Sequence, residues 1–388
     1  IVVNCNFVNN LADWGGGGIF IDTYAPTIID CKFTGNQAIQ ADGGAISFAA
    51  YTPYANIVNC TFTDNRAATD GGAISHYYSS STITNCSFYG NYATNYGGAI
   101  ANWYGCTPVI TNCTFNNNSA NNGGAMFNYY DNHPILTNCV FWGNIADSQN
   151  GPEISNGFRT GGEYDDVPNI SYCDIAGCGG SGLNWNIIFG TDNGGNIDTN
   201  PLFLDQSFGD LHLSPGSPCI DAADNNAVPP DSWDMDNDGN FSEPIPFDLD
   251  SNPRFIDDPN TPDTGNGIPP IADMGAYEFQ ISLNPTLTIE PDPLIAGQNA
   301  TFTVTKAKPN TKTYLAYSLR GTGSIYIPFL NITLNLNQPK QAGNTKTSDA
   351  NGTAIWILPI PNAAAGRNVW LQACQFELKT NVVATNVQ

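Results

Sequence analysis

Asn85-Cys86-Ser87-Phe88-Tyr89-Gly90-Asn91, completed by Gly97-Gly98-Ala99-Ile100, is the stretch on which the fold turns. Its first half, Cys-x-Phe-x-x-Asn, recurs at Cys5-Phe7-Asn10, Cys31-Phe33-Asn36, Cys60-Phe62-Asn65, Cys113-Phe115-Asn118 and Cys139-Phe141-Asn144. The second half recurs at Gly17-Gly18-Ile19, Gly44-Ala45-Ile46, Gly72-Ala73-Ile74 and Gly124-Ala125-Met126. Successive cysteines are 26, 29, 26, 27 and 26 residues apart, a period that marks a solenoid. Cys and Phe, two apart, share one face of a short strand and point inward. No helix-length amphipathic stretch lies between the strands, so each repeat reads as one rung of a coil. Rungs of such a coil stack at about 4.8 Å, placing equivalent residues in columns.

Three columns follow from that register. Asn10, Asn36, Asn65, Asn91, Asn118 and Asn144 are expected to form an amide ladder, each bonding the next. Cys5, Cys31, Cys60, Cys86, Cys113 and Cys139 are expected as a ladder of buried free thiols. Their Cβ vectors run parallel, whereas a disulfide wants a dihedral of about 90°. No Cys-x-x-Cys pair or histidine cluster accompanies them, which argues against zinc. Cys173 and Cys178 are the pair expected to be bonded. The third column is aromatic: Tyr24, Tyr51, Tyr78, Tyr104 and Tyr130 follow the Gly-Gly-Ala-Ile segments, with Tyr77, Trp103 and Tyr129 beside them. They offer either a platform for sugar rings or a packing stack that seals the sheet edge. Asn59, Asn85 and Asn112, glycosylation acceptors by pattern, are expected to face outward beside the buried cysteines.

The alternation of Phe-x-x-Asn (Phe33–Asn36 to Phe141–Asn144) with Gly-Gly-Ala-Ile resembles the repeats of chlamydial polymorphic membrane proteins and of many secreted bacterial β-helix proteins. The likeness covers residues 1–150 and implies a right-handed parallel β-helix on a surface-displayed passenger or adhesin. The autotransporter barrel that often follows such repeats is not in this chain, so that export route is not implied. Further on, Asn200-Pro201-Leu202-Phe203-Leu204-Asp205, Asp210–Pro218 and Asp273-Met274-Gly275-Ala276-Tyr277-Glu278-Phe279 resemble the end of bacterial choice-of-anchor Q β-helix proteins, which implies an envelope location and no reaction.

The fold class expected is therefore all-β: a right-handed parallel β-helix over residues 1–222, an acidic closing segment over 223–280, and an Ig-like β-sandwich over 281–388. The sandwich is read from alternating runs such as Ala300–Val304, Thr313–Tyr317 and Val369–Ala373, broken by Pro, Gly and Asn. Cys374 stands alone there, so the usual inter-sheet disulfide is excluded. In the acidic segment, Asp234-Met235-Asp236-Asn237-Asp238-Gly239-Asn240-Phe241-Ser242-Glu243 places carboxylates at alternate positions before a glycine turn, the oxygen-rich pattern that suits Ca²⁺. Asp234, Asp236, Asp238, Asn240 and Glu243 are the expected ligands. The bidentate acid of an EF-hand would fall on Ile245, so Glu243, Asp248 or Asp250 must replace it.

Charge limits the partners. Thirty-five acids against 12 bases give −23, which disfavours nucleic acid. Residues 281–388 hold eight of the bases and four acids, net +4, leaving −27 on residues 1–280. That asymmetry, and a chain that opens inside a repeat at Ile1-Val2-Val3, point to copies of the chain assembling head to tail; cell-surface polysaccharide is the alternative partner. No apolar run approaches the 18 residues of a membrane span. An extracellular or cell-surface location is expected.

Catalysis is the rival reading, since polysaccharide lyases and glycosidases share the β-helix. Those chemistries gather carboxylates and a base on one face. Here the acids of the repeats (Asp13, Asp42, Asp64, Asp70, Asp131, Asp147) sit near turns, and His76, His133 and His212 have unrelated contexts. Asp165-Asp166 is the one adjacent acidic pair before the acidic segment, with Arg159 nearby. A non-enzymatic structural protein is the expectation.

Overall fold

The computed structural model describes residues 1–51, 54–147, 151–157, 166–280, 285–308, 310–349, 352–376 and 378–388. They form two compact units, residues 1–280 and 281–388, each with its own core. The chain is all-β: beyond strands, only short 3-10 turns occur among the described residues.

The first unit is a parallel coil. One rung is typified by four strands, Ser81–Thr84, Ser87–Tyr89, Tyr92–Ala93 and Ile100–Trp103. Equivalent strands of successive rungs pair in parallel, giving sheets of eight, seven, six and six strands. Register is strict: Phe62 lies between Phe33 and Phe88, and Ile74 between Ile46 and Ile100. The last parallel pairings join Asn169 to Thr191 and Asp174 to Ile197.

The bends explain the motif. Asn59, Asn85, Asn112 and Asn138, each preceding the rung's cysteine, adopt left-handed φ of 51–56°, a region that Asn tolerates better than most residues. The glycine pair answers two separate demands. Gly71 has φ +65°, while a Cβ on Gly72 would stand 2.1 Å from the carbonyl oxygen of Gly98 in the next rung. The first glycine therefore supplies the bend and the second allows close approach.

Inside, Phe7, Phe33, Phe62, Phe88, Phe115 and Phe141 stack face to face at 4.3–4.9 Å with planes within 4°. Burying each Phe contributes roughly 1.5–3 kcal/mol, and every stacked pair adds about 0.5–1.5 kcal/mol. The cysteines pack beside them. Cys31, Cys60, Cys86, Cys113 and Cys139 are buried, and all eleven cysteines are free. Cys5, expected to be buried, is exposed, because a neighbouring rung covers it on one side only. The expected Cys173–Cys178 disulfide is not formed. Cys173 instead continues the column, its Sγ accepting the Cys139 amide at 3.4 Å, and the parallel Cβ geometry of that column disfavours a bridge.

Residues 200–280 do not extend the coil. They fold back along its outside as an acidic strap, beginning with the antiparallel hairpin Phe203–Asp205 and Asp210–Leu213. The strap runs past the column of left-handed asparagines. Asn85 Nδ2 donates to Phe247 O (2.8 Å), and Asn85 Oδ1 accepts from Arg254 (2.9 Å). Asn138 exchanges two bonds with the Asp224 backbone. Asn59, Asn85 and Asn112 are consequently buried, contrary to the expectation that they face outward: the strap takes the side that solvent would otherwise occupy.

Arg254 is the strap's anchor. Wholly buried, it donates to Asn85 Oδ1, Gly275 O and Ala276 O, and lies 3.8 Å from Glu278. Asp248 accepts the amides of Asp250, Asn252 and Glu278.

The second unit has antiparallel sheets compatible with a sandwich. Asn299–Thr305 pairs with Thr286–Glu290 and Ala354–Pro359, and Lys312–Ser318 pairs with Asn368–Gln375. Leu287, Phe302, Leu315, Trp356 and Leu371 fill the space between them. Cys374 is buried and free.

Candidate functional site

Three features of the first unit carry chemistry: the ladders, the aromatic face and the acidic loop. In the amide ladder, the backbone N–H and Nδ2 of each asparagine both donate to Oδ1 of the next. Asn36 to Asn65 measures 3.0 and 2.9 Å, and Asn65 to Asn91 3.0 Å twice. The second Nδ2 hydrogen goes to a Phe carbonyl in the preceding rung, as in Asn65 to Phe33 O. Each interior amide thus has all its valences filled. Among the described residues no further asparagine continues the column beyond Asn144. Its partner is Glu153, which stands where the other rungs have the alanine of Gly-Gly-Ala-Ile and which turns its buried carboxyl onto the Asn144 N–H and Nδ2. Burial pushes the Glu153 carboxyl up to about 8, against the lowering effect of the Asn144 bonds.

A second ladder escaped the sequence reading. His76, Asn102, Asn128 and Asn156 form a buried chain of bonds at 2.8 Å, ending on the carbonyls of Ile188 and Phe189. The signal was present as Asn two residues after each Gly-Gly-Ala-(Ile/Met), but His76 and Phe48 break the identity of the column. Burial holds the His76 pKa down to about 4, so the ring is neutral, with Nδ1 donating to Asn102 and Nε2 accepting from Ser81.

The tyrosines form a stack. Tyr51, Tyr78, Tyr104 and Tyr130 sit at left-handed φ of 48–78°, unusual for a bulky residue. Tyr78 lies 5.1 Å from Tyr51 and 4.9 Å from Tyr104, near parallel to both; Tyr130 tilts 57° against Tyr104. Tyr24 has no ring partner among the described residues. Both faces of the Tyr78 ring are therefore covered by neighbours, leaving its edge and hydroxyl outward. Tyr77, Trp103 and Tyr129 line the adjacent strand ends, with Tyr77 set edge-on to Tyr78 and Tyr104.

In the acidic loop, Gly239 turns at φ +84° and its amide bonds Asp234 Oδ1 at 2.9 Å. One carboxylate oxygen from each of Asp234, Asp236 and Asp238 falls within 4.8 Å of the others; the same holds for Asp231, Asp236 and Glu243. Asp231, buried and absent from the expected ligand set, thus joins it, and Asp236 belongs to both groups. Asn240 braces the loop: its Oδ1 accepts from Ser242 and its Nδ2 donates to Glu243 Oε2 at 3.0 Å. Glu243 Oε1 is shielded from solvent and has no partner. Desolvation, then the charges of Asp238 and Asp236, raise the Glu243 carboxyl above its ordinary range. Of the three acids considered for the closing position, Asp248 is tied to the strap backbone and Asp250 to His212, leaving Glu243 at the cage. A set of five carboxylates without nitrogen or sulfur suits a hard cation.

The candidates for catalysis are dispersed. His212 bonds Asp210 (2.5 Å) through Nδ1 and Asp250 (2.6 Å) through Nε2, with Tyr277 against its ring at 4.4 Å. Partial burial opposes its charge, but the two carboxylates outweigh burial and raise its pKa. Both ring nitrogens thus face carboxylate oxygens. His133 pairs with exposed Asp131. Asp166 caps the coil through the amides of Tyr130 and Asn132; Asp165 and Arg159 lie outside the described residues. Among the described residues no helix is long and apolar enough to cross a membrane.

The family description "Right handed beta helix region" matches residues 1–160 and again residues 48–197, together half of the chain. No curated protein and no solved structure matches it. The family includes both enzymes and non-enzymes. On the matched rungs, their parallel register and their continuous ladders, the chain belongs to the right-handed β-helix family.

Proposed function

We propose that this chain is a non-enzymatic extracellular structural protein, a cell-surface or filament-forming subunit whose copies associate head to tail and whose acidic strap takes up Ca²⁺ at Asp231, Asp234, Asp236, Asp238 and Glu243. The observation that carries the reading is the pair of ladders inside the coil: their amides bond the next rung, so these side chains build a rod and are not free for a substrate. The charge separation, −27 on residues 1–280 against +4 on residues 281–388, favours contact between unlike ends of two copies. A contact of that heterologous kind, if it does not close, yields a filament. The likeness to surface-displayed bacterial β-helix repeats supports the location.

Electron microscopy of the full chain in millimolar calcium and after chelation tests this. Filaments that disperse on chelation are expected. Single particles in both conditions would remove the assembly, and release of reducing ends from a panel of polysaccharides would remove the non-enzymatic reading.

The aromatic face supports a second reading, carbohydrate binding. Stacked rings hide their faces, so contact would come through the hydroxyl edges of Tyr78 and Tyr104 and the exposed flank of Tyr77. Tyr78→Ser with Tyr104→Ser is expected to abolish glycan-array binding; unchanged binding would exclude this surface.

A further inference from the structure

A second acidic cluster lies elsewhere in the strap. One carboxylate oxygen from each of Asp221, Asp257 and Asp263 falls within 4.8 Å of the others. Asp221 is wholly buried, and its Oδ1 has no hydrogen-bond partner. The rest of that residue is fully engaged. Its amide donates to Asp273 Oδ1 (2.8 Å), its carbonyl accepts from the amides of Thr264 and Gly265, and its Oδ2 accepts from the Asp258 amide at 3.3 Å. The segment from Asp257 to Gly265 is thereby wrapped around one buried carboxylate that keeps a bare oxygen and lies beside two more acids.

An ionised carboxylate that is buried and unpaired is strongly disfavoured, and like charges beside it add to the penalty. Among the described residues no cationic side chain is hydrogen-bonded to Asp221 Oδ1. Arg254 is committed to Asn85, Gly275 and Ala276. Asp258, in the same segment, accepts from Asn260 and the Thr261 hydroxyl and is not one of the three carboxylates that converge.

We infer that Asp221, Asp257 and Asp263 form a divalent-cation site of calcium class, separate from the Asp234–Glu243 loop. Oxygens bound to one Ca²⁺ at about 2.3–2.6 Å lie no more than about 5 Å from one another, and one oxygen from each of these three carboxylates meets that limit. The donors are all carboxylate, which disfavours zinc. Asp221 lies on the protein side, while Asp257 and Asp263 are exposed and leave the outer half of the shell to water, as the flexible coordination of Ca²⁺ permits. The bound ion pins the segment from Asp257 to Gly265 onto the strap core at Ile220, Ala222 and Ala223.

Isothermal titration of the chelator-treated full chain with calcium chloride tests the assignment. Asp257→Asn with Asp263→Asn is expected to lose one calcium per chain. Asp236→Asn with Asp238→Asn is expected to lose a different one and to keep this one. The single variant Asp263→Asn serves if the double variant does not fold, with binding weakened at least tenfold at one site. Calcium is also expected to protect the segment from proteolysis in the wild type and in the Asp236/Asp238 variant, and not in the Asp257/Asp263 variant. Unchanged stoichiometry and affinity in Asp257→Asn/Asp263→Asn would overturn the site. So would complete loss of calcium binding in a folded Asp236→Asn/Asp238→Asn chain; survival of calcium binding there would instead detach this site from the fate of the other loop.

Discussion

The coil and the strap solve the problem of buried polar groups in opposite ways. In the coil's interior column each amide is answered by a copy of itself one rung on, as in Asn36, Asn65 and Asn91. The solution is neutral, repeats with the period and is indifferent to what lies outside the rod. In the strap, carboxylates accept backbone amides, an arginine lies beside Glu278, and oxygens on Asp221 and Glu243 are left over. That solution is charged and local. A periodic sequence can satisfy itself; an aperiodic acidic one needs a partner, either the coil surface or a cation.

The largest effect that separates the two regions is expected from Arg254→Ala. It removes three hydrogen bonds and leaves Glu278 buried beside no positive charge, a loss of about 3–5 kcal/mol. Limited proteolysis should then cut within residues 200–280 while the coil resists; equal resistance of both regions would show that the strap does not hang on this residue. In the coil, Asn91→Ala strips acceptors from Asn65 and a donor from Phe62 O, and about 2–4 kcal/mol should be lost in urea denaturation. The same change at exposed Asn10 should cost under about 1 kcal/mol. Similar losses at both positions would break the picture of a ladder whose interior members matter most.

The two regions also share a pH signature. Glu153 at the end of the ladder is raised to about 8 and Asp174, beneath the strap, to about 7, in both cases chiefly by burial. Folded chains thus hold protons that unfolded chains have released above pH 4–5, so stability falls as pH rises from about 4.5 to 8. The slope is up to about 1.4 kcal/mol per pH unit for each group. His212, also raised, loses its two ion pairs as pH climbs through its folded pKa, in the same direction. Glu153→Gln should flatten the profile of thermal midpoint against pH; an unchanged slope would place its origin in the strap. The smallest effect is at the corner column. Asn85→Gly keeps the left-handed bend and forfeits two bonds to the strap, about 1–2 kcal/mol, whereas Asn112→Gly removes two enclosed polar atoms that have no partner and should be neutral or stabilising.

Much of this was legible in the residues. Cys-x-Phe-x-x-Asn named the buried columns because a parallel coil places identical residues one above another. Sequence reading also located the acidic loop, since Asp at alternate positions before Gly239 is a local pattern. It missed the His76–Asn156 ladder, where Phe48 and His76 interrupt the identity, and the role of Glu153, which fills the place of an absent asparagine from a different position in the rung. It also placed Asn59, Asn85 and Asn112 in solvent. Nothing near them in sequence announces that Phe247 and Arg254, more than 160 residues away, come to lie over Asn85.

What the sequence by itself determined is therefore the periodic part: the rung, its inward faces and the glycine bends, all fixed by spacing and by the stereochemistry of a few residues. What only the tertiary structure decided is the course of the acidic strap and the partners of its carboxylates. Asp221 meets Asp257 and Asp263 through a contact between segments 36 or more residues apart, while Asp231 and Glu243 meet Asp236 through the turn of one loop. Such contacts arise from packing against the coil's outer corners, and packing of that kind has no period for a sequence to display.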